Sequence, residues 1–119
     1  MRYIGVTIAI VAIFACGDAA AKSEPKPAVA IDHDNWIRPG DFPREGIPRR
    51  AHGAVEFQIA INPSGYPENC VIRQSSGFDM LDKATCQLIL KRARFHPATD
   101  ENGEPTEGGY RDRVIWKAR

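Results

Sequence analysis

The sequence predicts an α+β fold: a small antiparallel three-stranded sheet with one main helix packed on one face, in the order strand, strand, helix, strand. Three observations carry this. Val55, Phe57, Ile59 and Ile61 alternate with Ala54, Glu56, Gln58 and Ala60, the period-two pattern of a half-buried strand. Leu81, Thr85 and Leu88, with Ala84 and Ile89 beside them, recur at helical spacing and form one apolar stripe. The chain has 119 residues, and the part beyond its amino-terminal segment has room for one small domain only.

The elements follow in order. Pro39-Gly40 and Pro43 punctuate the start of the domain, and Phe42 to Ile47 predicts one short helical turn with Pro43 at its first position. The strand over Ala54 to Ile61 ends at Asn62-Pro63-Ser64-Gly65, a turn in which Gly65 supplies positive φ. A second strand runs from Tyr66 to Gln74, with Cys70 and Ile72 on one face. Ser75-Ser76-Gly77 stops it. A helix follows from Asp79 to Ala93, with Asp79 as the expected cap of the first free amides. Pro97 cannot continue that helix, so Arg94 to Ala98 returns the chain. After a turn-rich loop over Asp100 to Pro105, the last strand covers Tyr110 to Lys117, with Val114 and Trp116 towards the core.

The amino terminus has a different character. Met1-Arg2 supplies positive charge, Tyr3 to Ala15 is an apolar run, and Ala19-Ala20-Ala21 follows a polar break. Charged, apolar, small is the order of an export signal, here residues 1–21. As a helix the apolar run reaches about 20 Å at 1.5 Å per residue, short of a hydrocarbon core of about 30 Å. Two processing routes stay open. One is cleavage before Lys22. The other is a lipoprotein signal over residues 1–15, because Ile13-Phe14-Ala15-Cys16 resembles a lipobox in which Cys16 would be acylated; Phe14 is bulky for its middle. A membrane is a partner only in the second case.

Export places the domain in an oxidising periplasm, and there Cys70 and Cys86 remain as a pair once Cys16 is assigned to the signal or the anchor. Residues 22–37 read as a proline-containing linker before a domain over residues 38–119.

The chemistry classes are narrowed by what is missing. Net charge is +1 with both signs mixed along the chain, which leaves nucleic acid without an electrostatic footprint. Ser75 and Ser76 end a strand, and nothing brings His52 or His96 to them as a base, so the chain is not read as an enzyme. Asp32-His33-Asp34 has no second ligand cluster at fixed spacing; it reads as a solvated stretch, and neither a metal nor another cofactor is expected.

Phe42-Pro43, Gly53-Ala54-Val55, Ile61-Asn62-Pro63-Ser64-Gly65, Ile72 to Gly77, Leu81-Asp82 and Arg94-Phe95-x-Pro97-Ala98 stand in an order that resembles the carboxy-terminal domain of TonB, the periplasmic energy transducer of Gram-negative bacteria. The resemblance covers residues 38 to 119, and the cysteine pair looks like a variant found in small relatives. It implies a non-catalytic domain that takes a short segment of an outer-membrane transporter or other envelope protein by strand addition. In this chain the candidate edge is the last strand, with Arg111, Arg113, Val114, Ile115 and Trp116 as the candidate contact residues. Other readings weighed beside it are a homodimer through the same edge, and a structural envelope protein that keeps the fold without binding peptide. In the latter, the edge charges serve only to prevent aggregation. The departures are plain. The apolar segment is short and lacks histidine, and the linker is brief, so the sequence keeps the receiving end of a transducer without its drive.

Overall fold

The computed structural model describes residues 22–44, 47–48 and 50–117. The export signal, Cys16 and part of the expected turn over Phe42 to Ile47 lie outside them.

Strand β2 (His52–Ile61) forms because its apolar residues fall on alternate positions, and Val55, Phe57, Ile59 and Ile61 are all buried on one face. The turn after it is tied by Asn62, whose Oδ1 accepts from the amides of Ser64 and Tyr66 at 2.9 and 3.0 Å. Gly65 sits at φ +90°, and a Cβ there would strike the carbonyl oxygen of Phe95. Only glycine fits. Strand β3 (Pro67–Gln74) returns antiparallel to β2, and strand β7 (Gly108–Lys117) pairs along β2's other side. The order β3-β2-β7 makes β2 the central strand.

Helix α1 (Asp79–Arg92) crosses one face of this sheet and buries Leu81, Thr85 and Ile89. Full burial of the leucine and the isoleucine contributes about 1.5–3 kcal/mol each. The expected Asp79 cap is not made. Phe78 holds the N-cap position, and Asp82 instead accepts from the Ser75 and Ser76 hydroxyls and from the Ser76 amide, so the carboxylate fixes the preceding turn rather than the helix's own first amides. Burial pushes the Asp82 carboxyl up, but those bonds together hold it below the usual range. Cys70 of β3 and Cys86 of α1 are joined, with Cα atoms 5.6 Å apart.

Three further features depart from the sequence reading. The sheet does not stand alone. Strand β1 (Val29–Ile31) pairs antiparallel with β4 (Arg94–His96), and β5 (Ala98–Thr99) pairs with β6 (Pro105–Thr106), giving two small two-stranded sheets. Second, the segment expected to be an extended tether is a strap laid on the domain. Ser23 donates to Glu101, Lys26 exchanges both backbone bonds with Thr99, and β1 continues the same ladder. The residues after the helix carry backbone groups that no other strand satisfies, and the strap satisfies them. Third, a short helical turn forms at Pro39–Asp41, with Pro39 at its first position. Asp41 closes it by accepting from the Arg38 amide at 2.8 Å.

The core has two adjoining parts between helix, sheet and strap. One gathers Trp36, Phe57, Ile59, Ile61, Ile89 and Phe95; the other gathers Phe42, Val55, Leu81 and Trp116. Both tryptophans are therefore core residues. Trp36 Nε1 donates to the Ile31 carbonyl, and Trp116 Nε1 donates to Thr85 Oγ1 at 2.9 Å, so neither indole is buried without a partner.

Candidate peptide-binding edge

A three-stranded sheet has two margins, and here they differ. β3 carries register irregularities against β2 and has Asn69 in the left-handed region at φ 55°, the kind of bulge that makes a poor template. β7 pairs with β2 without a break from Gly108 opposite Ile61 to Lys117 opposite His52. It is a regular ten-residue strand, and among the described residues its far side makes no backbone pairing. The row of amides and carbonyls on that side is available.

Alternation along β7 sorts the candidate residues. Tyr110, Asp112, Val114 and Trp116 turn to the helix side, where Trp116 is buried. Arg111, Arg113 and Ile115 turn to the uncovered face, where Ile115 is 65% exposed. Arg111 reaches Glu56 on the neighbouring strand at 3.2 Å. Trp116, with its ring in the core, has only its backbone to offer a partner. Val114 is half-buried beneath the margin.

The strap supplies what the sequence did not reveal. His33, Asp34, Trp36 and Ile37 face Asp112, Arg113, Val114 and Ile115 across a cleft of about 240 Å³ floored by Phe57 and Ile89. Four successive strand residues line it. Because neighbours on a strand point to opposite faces, this arrangement requires the cleft to run along the strand's margin rather than over one face. It continues into a second hollow of about 210 Å³ between Ile37, Arg38, Pro39 and Ile115 to Lys117. The free margin of β7 thus forms one wall of a groove and the strap forms the other.

A side-chain hydrogen bond spans this groove. His33 Nε2 lies 2.6 Å from Asp112 Oδ2, which also accepts from the Tyr110 hydroxyl at 2.9 Å, while the Arg113 amide donates to Oδ1. Burial pushes the Asp112 carboxyl up, but the Arg113 amide, His33 and Tyr110 hold it below the usual range. The hydrogen bond to Asp112 raises His33, and burial together with the same carboxylate takes the Tyr110 phenol up to about 12. The strap itself is held by a stack of rings, with Trp36 5.2 Å from Phe95 and Phe95 5.0 Å from Tyr110. Arg92 adds a forked bond to Asp41 at 2.6 and 3.1 Å and a bond to the Trp36 carbonyl.

His33 and Asp34 of the Asp32-His33-Asp34 run are accordingly part of the groove wall, and among the described residues no group of three His, Cys, Asp or Glu side chains is placed to hold a metal. Likewise no described helix is long and apolar enough to cross a membrane.

Residues 39–117 match the family described as Gram-negative bacterial TonB protein C-terminal. The chain belongs to this family. No curated protein matches it. The match takes in β2, β3, α1 and β7, and begins within the turn that closes the strap. TonB carboxy-terminal domains are non-catalytic modules of the periplasm that bind other envelope proteins, and this chain is a TonB-like domain of the kind related to envelope transport.

Proposed function

We propose that the protein is an exported, non-catalytic binding module that takes an extended segment of another envelope protein as an added strand along the margin of β7. The observation that carries this reading is the unbroken outer side of that strand, which among the described residues is unpaired and opens into a groove. A guest backbone would satisfy β7's amides and carbonyls, and the side chains on either face would set its identity. In this reading Arg111, Arg113, Val114 and Ile115 flank the guest, and Trp116 holds the strand in place from below. The partner class is a segment of an outer-membrane transporter or another envelope protein, and the site of action is the periplasm. The domain uses no cofactor. The strap lies packed on the domain over residues 22–42 and does not extend away from it, which argues for a receiver of partners and against a long-range transmitter of force.

The test is a titration of isotope-labelled protein with peptides from the periplasmic segments of outer-membrane transporters. Amide shifts and slowed exchange should concentrate on Arg111 to Trp116. Changes confined to β3, or none with any peptide, would reject strand addition at β7 and favour a structural role for the fold.

A further inference from the structure

A strand that docks at β7 must place alternate side chains into the space between β7 and the strap, and that space has a defined size and character. The hollow beside His33 has apolar walls and floor in Trp36, Ile37, Phe57, Ile89 and Val114. At about 240 Å³ it falls below the 300–1,000 Å³ usual for small-molecule pockets, which suits a single side chain rather than a whole ligand. At its polar lip Asp112 is already engaged by His33, Tyr110 and the Arg113 amide, while Asp34 and Arg113 stand at the rim beside it. A polar group entering there would lose water and find few free partners.

The opposite face of the margin has the reverse character. The residues on either side of a socketed one point to the uncovered face of the sheet, where Arg111 and Arg113 stand. Glu56 engages Arg111, while among the described residues no carboxylate lies within ion-pair distance of Arg113.

Building on the strand-addition reading, we propose that the hollow between the strap and β7 is a specificity socket: it takes one bulky apolar side chain, of leucine to phenylalanine size, from a guest segment whose adjacent residue is a carboxylate facing Arg113. Ile37 lines both this hollow and the next one along the groove, so it sets the socket's limit on size. Selectivity arises from the alternation of the guest, apolar inward and acidic outward, and not from backbone pairing, which is blind to sequence.

The probes are eight-residue threonine-based peptides that carry one test residue (Ala, Leu or Phe) beside a Glu or a Lys, scanned along the peptide. Binding to the purified protein is followed by backbone-amide and methyl resonances. Leu and Phe peptides should bind at least tenfold tighter than Ala, the scale expected for burying about two further methylene groups. The methyl signals of Ile37, Ile89 and Val114 should shift with them. Lys in place of the adjacent Glu should weaken binding several-fold, and Arg113→Gln should erase that difference. In Ile37→Ala, which enlarges the hollow from its strap side, the optimum should move from Leu towards Phe. If β7 amides shift equally with Ala, Leu and Phe peptides while the methyl signals stay still, the socket is overturned and strand addition stands. An optimum unmoved by Ile37→Ala also overturns it. If no peptide shifts the β7 amides, strand addition and the socket fall together.

Discussion

His33 and Asp112, 79 residues apart in the chain, meet at 2.6 Å across the mouth of the groove. The strap is thereby tied to β7 by a contact whose strength depends on pH, and the direction follows from both partners. His33 is raised above its ordinary 6.5, so its contribution to stability is complete below that value and is lost as pH rises through the higher folded one. Asp112 is depressed below its ordinary 3.8, so its contribution is complete above that value and fades only as pH falls through the lower folded one. The contact therefore contributes most between about pH 4 and 6.5. With the side chains 48% and 32% exposed, solvent screening keeps it below about 1 kcal/mol. The charged groups that act on the ring are Asp34 beside it and Asp112 on β7. Urea midpoints of wild type and His33→Gln should differ more at pH 5.5 than at pH 8.5; a gap of the same size at both would show that the ring matters only through packing on Trp36.

Thr85 joins helix and edge strand by a single relay. Its hydroxyl donates to the Leu81 carbonyl and accepts from Trp116 Nε1, all fully buried. Thr85→Val keeps the shape and leaves the indole N–H without a partner, which should cost about 1–3 kcal/mol. Thr85→Ser should cost less. Denaturation followed by tryptophan fluorescence ranks the two, and the reverse order would mean that methyl packing outweighs the hydrogen bond.

The Cys70–Cys86 bond closes a loop of 16 residues between β3 and the helix. On the chain-entropy relation, replacing both cysteines by alanine should cost about 3 kcal/mol. Mass mapping without reductant should recover the two peptides joined. Recovery of both as free thiols from exported protein would remove the staple from the account.

At Gly65 the turn after β2 approaches Phe95 so closely that any Cβ must push it away, and the backbone is left-handed besides. The same glycine holds Phe95 through a backbone bond, Phe95 N–H to Gly65 carbonyl at 3.0 Å. Gly65→Ala should destabilise by about 2 kcal/mol or more, since strain and lost contact act together. By contrast, Gly40 has open space at its Cβ position, and Gly40→Ala should change the midpoint little.

What the sequence disclosed, and what it withheld, follow from where periodicity exists. β2, α1 and β7 repeat at two or at 3.6 residues because each buries one side, and that repetition is legible without a structure. The strap carries no such mark. Pro25 and Pro27 and the polar run to Asn35 resemble a solvated tether, and its pairing depends on backbone groups of residues 94–99 that no side-chain pattern advertises. The edge strand could thus be named from its own residues, whereas the groove could not, because its second wall belongs to that strap. One cue was present: Trp36-Ile37 is a bulky apolar pair at the end of a polar stretch, and such a pair rarely faces water without cause. The helix cap failed for a related reason. Asp79 and Asp82 are equally acidic in the first turn, and only the fold of Ser75-Ser76 decides which carboxylate is used.

The ladder from Lys26 to Ile31 has a mechanical meaning as well. Tension applied at Lys22 would meet the Ser23 and Lys26 bonds first, then the β1–β4 pairs one after another, then the His33–Asp112 contact, and last the wedged indole of Trp36. Such a series behaves like a zip fastener: modest pulling opens its outer teeth and lengthens the leash before it reaches the groove wall at His33 and Asp34.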